Sequence, residues 1–120
     1  MSMFDSDEVE LASSVSMSTS FASASYNVLG WDCGSLQFVW SGATSMDAIL
    51  IPQASNDKIN WCNLVKSTSA KTVNAVSGCD MYILEFFGYR WVRFYFSSQG
   101  ESTGTITGTL LVTRSYGRNR

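Results

Sequence analysis

Histidine is absent from this chain, proline occurs once, and charged residues make up only 15% of its 120 positions. Without histidine there is no Ser–His or Cys–His pair to activate a nucleophile and no imidazole ligand for zinc. Three cysteines, Cys33, Cys62 and Cys79, are present with no C-x-x-C spacing, which removes the usual thiolate zinc arrangements. Two readings of the thiols stay open: buried free cysteines acting as small hydrophobes, or one disulfide plus a free thiol. No apolar run approaches transmembrane length, and the acidic first residues are not followed by the apolar stretch of a secretory leader. The expectation is a protein made in a reducing cytoplasm, with no cofactor, no metal and no membrane partner.

The scarcity of charge has a second meaning. Average chains carry about a quarter of charged residues, and a surface so poor in charge is either covered by other subunits or polar through Ser and Thr. What charge there is lies at the ends. Asp5, Asp7, Glu8 and Glu10 stand in the first ten residues, and Arg114, Arg118 and Arg120 in the last seven. Such tails are solvated in a monomer and are able to pair between copies in an assembly, weakly and under salt control. Three arginines are too few to point to nucleic acid.

What the chain does have is β pattern. Leu36, Phe38 and Trp40 alternate with Gln37 and Val39, and Ser41-Gly42 ends the run. Met46 to Gln53 is almost continuously apolar, with Pro52 marking an edge or a strand end because it cannot donate to a ladder. Ser55 to Lys58 reads as a turn, and Ile59 to Val65 as the return strand with Trp61 pointing inward. A weak strand at Thr72 to Val76, a turn at Ser77 to Asp80, and strands at Met81 to Phe87 and Tyr89 to Phe96 follow. Thr105 to Thr113 closes the chain, with Ile106, Leu110 and Val112 on one face; it is a candidate edge strand. No stretch has helical period. The fold class is therefore all-β: an antiparallel two-sheet β-sandwich, jelly-roll-like, of about seven or eight strands.

Residues 1–25 hold ten Ser or Thr and four acids with scattered apolar positions. They read as an acidic N-terminal arm, 26–113 as the sandwich domain and 114–120 as a basic tail. Within the arm Met17, Thr19 and Phe21 alternate, so this piece is a candidate assembly strand. Removing residues 1–25 is expected to leave a folded domain that assembles poorly.

Candidate sites are few. Asp32, Asp57, Asp80 and Glu101 fall at predicted turns; with no D-x-D-x-D-G run they read as turn residues and not as calcium ligands. Asp47 and Glu85 are not brought together by any pattern, so a paired-carboxylate hydrolase is rejected. Arg90 and Arg93 take opposite faces of their strand, one of them placed to stack on Tyr89, Trp91 or Tyr95. The chain has seven Phe, four Trp and five Tyr, more than a thin core needs. Tyr89, Trp91 and Tyr95 share one face opposite Val92, Phe94 and Phe96, forming an aromatic stripe that suits a subunit interface or a sugar-stacking platform; burial of both faces within one fold is the third reading.

Gln53-Ala54-Ser55-Asn56-Asp57-Lys58-Ile59-Asn60-Trp61 and Tyr89-Arg90-Trp91-Val92-Arg93-Phe94 resemble discoidin-type β-sandwiches, which bind sugars or lipid head groups. Adding Leu36 to Ala43 and Ser102 to Thr105, the pattern over about residues 35–113 resembles small β-sandwich structural proteins of tailed-phage and related virus particles. That resemblance implies a non-enzymatic virion component, such as a capsid decoration or tail protein, made in the host cytoplasm. Its partners would be copies of itself and other virion structural proteins. The other reading is a module binding a host surface glycan through Tyr89, Trp91 and Tyr95.

Overall fold

A computed structural model describes residues 4–43, 48–64, 71–73, 76–84, 87–98 and 103–115. Ten strands run through them: β1 (Phe4–Ser16), β2 (Phe21–Ala22), β3 (Tyr26–Asn27), β4 (Cys33–Ser41), β5 (Ala48–Ser55), β6 (Cys62–Asn63), β7 (Lys71–Val73), β8 (Gly78–Leu84), β9 (Trp91–Ser97) and β10 (Thr105–Ser115). Every pairing is antiparallel. Sheet A has the order β1-β10-β4-β8, and sheet B the order β2-β9-β5-β6, with β3 on β9 and β7 on β5.

Short β2 and β3 lie one after the other along β9, and β6 and β7 along β5. Counting each pair as one interrupted strand leaves eight, ordered 1-8-3-6 in one sheet and 2-7-4-5 in the other. That interleaving, in which each sheet takes alternate strands from both halves of the chain, is the double Greek key of a jelly roll.

Alternation builds the core as the sequence pattern dictates. Leu36, Phe38 and Trp40 of β4, Ile106, Leu110 and Val112 of β10, and Val92, Phe94 and Phe96 of β9 are all buried. Burying side chains of this size stabilises by roughly 1.5–3 kcal/mol each. Phe38 of sheet A meets Phe94 of sheet B edge to face, with ring centroids 4.8 Å apart, a favourable geometry for the ring quadrupoles. Gly108 makes that contact feasible: a Cβ there would stand 2.4 Å from the Phe94 ring. Tyr82 of β8 donates its hydroxyl to the Leu50 carbonyl of β5 across 2.9 Å, so the two sheets are also tied by a buried hydrogen bond.

The largest departure from expectation is at the N-terminus. The segment set apart as an arm supplies β1, which pairs with β10 from Phe4↔Ser115 to Ser16↔Thr105. Leu11, Ala12 and Met17 are buried in the core. The sandwich therefore begins at β1 and not near residue 26, and β10 is interior, covered on one side by β1 and on the other by β4. Of the candidate assembly strand, Met17 is fully buried, Thr19 is exposed beyond β1, and Phe21 pairs with Phe96 of its own chain. The acidic and basic ends also meet within one chain: Arg114, at the end of β10 and not in a free tail, pairs with Asp5 at 2.9 Å and lies over the Trp31 ring.

Smaller corrections have local causes. Pro52 sits inside β5, where β7 has ended and β6 has not begun, and its carbonyl accepts from the Leu64 amide; the missing N–H falls at this gap. Asp80 lies within β8, which begins already at Gly78. Cys62 and Cys79 are exposed and Cys33 half-buried, all three unbridged; they lie on strand ends and an outward face instead of in the core. Asp47, Glu85 and Glu101 lie outside the described residues.

Candidate functional site

Two outward faces and one end of the sandwich carry the chemistry of the surface. On sheet B, Ser55, Gln53 and Ile51 of β5 stand opposite Trp91, Arg93 and Tyr95 of β9. Opposite parity puts Val92, Phe94 and Phe96 inside, so Trp91, Arg93 and Tyr95 share the outward face.

The turn after β5 completes this face. Ser55 Oγ donates to the Asp57 carboxylate at 2.8 Å and accepts from the Lys58 amide at 2.9 Å. Asp57 in turn accepts from the amides of Ile59 and Asn60 and from the Asn60 side chain. These donors hold the Asp57 carboxyl well below the usual carboxylate range. Lys58 takes a left-handed φ of 65°, which swings its ammonium back over Trp91, 4.5 Å from the ring centroid. The Arg93 guanidinium lies 4.2 Å over the Trp61 ring, its Nε donating to Gln53 Oε1 at 2.8 Å. Gln53 passes the network on, donating through Nε2 to Asn63 Oδ1 at 3.0 Å. Desolvation lowers the Arg93 pKa from its ordinary value, yet a guanidinium stays charged at neutral pH.

Trp61 therefore stacks on the outer face and does not point into the core. Residues 59–61 precede the strand, and among the described residues of this return segment Cys62 and Asn63 form the ladder with β5. Tyr89 separates from the stripe as well. It lies in the bend before β9, packed beside Phe87 with centroids 5.8 Å apart, and burial pushes its hydroxyl up to about 12. Trp91 and Tyr95 keep the stripe position.

Tyr89 instead divides two clefts at this end of the molecule. One of about 270 Å³ is lined by Ser55, Asn56, Asp57, Asn60, Leu64 and Tyr89 among others. The second, of about 390 Å³, runs along Leu29, Phe87, Gly88, Tyr89 and Arg90, with Asn56 shared. Asn56 bridges the loops by accepting from the Arg90 amide at 3.1 Å. Among the described residues no group of His, Cys, Asp or Glu is placed to hold a metal ion.

Sheet A presents a different outer face. Val39 (50% exposed), Met81 (42%), Ile83 (69%) and Leu111 (38%) project from it between threonines and other small residues. Glu8 and Glu10 line its rim on β1, opposite Leu111 and Thr109. Next to Glu8 on β1, Asp7 accepts from the Tyr26 hydroxyl, which raises the Tyr26 pKa.

No protein-family profile and no curated protein matches the chain. Its structure is similar to that of the SPBc2 prophage-derived protein YomS, with a TM-score of 0.62 and 14% identity over 94% of this chain and 96% of that one. A second solved structure, FLHE, aligns over the same shares at 8% identity and a TM-score of 0.35, too low to carry an argument. What the comparisons establish is a likeness of fold: 94% of the chain aligns with a solved protein of prophage origin.

Proposed function

We propose that this chain is a non-enzymatic structural subunit of a bacteriophage-type particle. The observation that carries the reading is the likeness of the sandwich to a prophage-derived protein over 94% of this chain and 96% of that one. A fold alone hosts many functions, and the surface supplies the rest of the argument. The described residues combine an apolar, Thr-rich outer face on sheet A with a cation-bearing aromatic face on sheet B. Faces of this kind suit packing against neighbours in a repeated assembly, where many modest contacts add up through multivalency. The place of action under this reading is the virion.

Glycan binding is the second reading, supported by Trp91 and Tyr95 on one outward face. Lys58 lies over Trp91 and Arg93 over Trp61, so a neutral sugar would have to share or displace those cations before stacking. That favours protein contact. Particles of the virus that encodes the chain, purified through a density gradient and washed at high salt, should retain it, as read by mass spectrometry. Its absence from washed particles, together with retention of the soluble protein on immobilised glycans, would move the assignment to the second reading.

A further inference from the structure

The cations of the sheet B face are held in place by aromatic rings and an amide. Arg93 is fixed by Trp61 and Gln53, Lys58 by its position over Trp91, and no carboxylate pairs with either among the described residues. A guanidinium already stacked and aligned loses little freedom on meeting a carboxylate, so it acts as a pre-organised receptor. The same chain carries two exposed carboxylates, Glu8 and Glu10, that likewise have no ion-pair partner among the described residues.

The two sets are complementary in charge. Glu8 and Glu10 are two residues apart on one face of β1, which separates them by about 6.5–7 Å. Trp91, the ring under Lys58, and Arg93 are two residues apart on one face of β9, which puts both cations on one outward surface. Each set also has apolar area beside it: Leu111 lies opposite Glu8, and Ile59, 79% exposed, follows Lys58. The two surfaces belong to different sheets, β1 being an edge strand of sheet A.

We infer that Glu8 and Glu10 on the rim of β1 dock onto the Lys58–Arg93 face of sheet B in the next copy of the chain. This deepens the structural-subunit reading and rests on it. Because donor and acceptor surfaces differ, the contact is head to tail, and it generates a ring if the rotation closes and a filament if it does not. Acidic residues on an edge strand also deter indiscriminate strand pairing, and the experiment separates that role from docking.

Light scattering on the full chain at low and at high ionic strength reads the association, with the charge-reversed variants K58E/R93E and E8K/E10K. The wild type should associate at low ionic strength and dissociate as salt screens the pairs. Each reversed variant should be monomeric or bind itself roughly tenfold or more weakly, and mixing the two should restore association. Lys58→Glu alone leaves the Arg93–Trp61 stack intact and replaces K58E/R93E if circular dichroism shows the latter unfolded. A wild type monomeric at every ionic strength overturns the inference, and so does a mixture of folded reversed variants that stays monomeric. Self-association of E8K/E10K would assign the carboxylates to guarding the edge and overturn it too. Retention of a monomeric wild type on an acidic polysaccharide would give the face to a glycan instead. A chain found in washed particles but failing the charge-swap test loses this inference alone; a chain absent from them loses the particle reading.

Discussion

At the scale of single residues, two positions decide whether neighbouring parts fit. Gly108 lies under the Phe94 ring, and the ring is wedged between Phe38 and Phe21 with centroids 4.8 and 5.9 Å away. An added methyl has nowhere to go without moving that stack. Gly108→Ala should lower stability by about 1–3 kcal/mol, the usual cost of overpacking, seen as a lower urea midpoint with an unchanged slope. Asp57 acts through its charge. Its pKa is depressed by the amides of Asn60 and Ile59 and by the Asn60 and Ser55 side chains. The carboxylate's contribution is therefore fully present above the ordinary value of 3.8 and fades as pH falls below it toward the depressed folded value. Thermal melts of the wild type and Asp57→Asn should differ at neutral pH and converge as the solution is acidified. A gap that stays constant into strong acid would show that the difference does not come from the carboxylate's charge.

At the scale of elements, legibility in the sequence follows phase. β4, β9 and β10 alternate over most of their length, so strand, inner face and core residues are readable there from side-chain order alone. β1 is not, because its pairing with β10 slips between Glu10 and Ala12 and again between Ala12 and Val15, near Ser14 with a left-handed φ of 48°. Each bulge shifts which side chains face inward. Leu11, Ala12 and Met17 are buried, but no single period joins them, and the Ser-rich remainder looks like a tail. The candidate site divides in the same way. Trp91, Arg93 and Tyr95 share a face by parity and are legible. Trp61 reaches that face from a turn by stacking on Arg93, a contact between distant parts of the chain that no local pattern records. Parity along the run puts Tyr89 in the stripe, but the strand starts at Trp91. Since β1 is a full edge strand with core residues, a chain lacking residues 1–16 should lose the strand signal in circular dichroism and its cooperative melt. A truncated chain that melted like the full one would return this segment to the role of an arm.

The whole molecule is closed by its two ends. β1 and β10 form a ladder from Phe4↔Ser115 to Ser16↔Thr105, joining the parts of the described chain that are farthest apart in sequence. Loop-closure entropy makes such a pairing the costliest to form early, and folds dominated by non-local strands refold on the scale of about milliseconds to seconds. The β4–β8 and β5–β9 ladders span shorter loops and also carry the Phe38–Phe94 and Phe38–Tyr82 contacts. They are better placed to form the nucleus, with β1 added last. Leu11, 4% exposed, reports on this: Leu11→Ala should cost about 2–5 kcal/mol, enough for a kinetic comparison. If β1 docks after the transition state, the loss falls on unfolding, which speeds up while folding in water hardly changes, giving a φ-value near zero. Stopped-flow tryptophan fluorescence across a urea series measures both limbs. Slowed folding with φ near one would mean that the ends of the chain meet first and that the jelly roll closes from its longest loop inward.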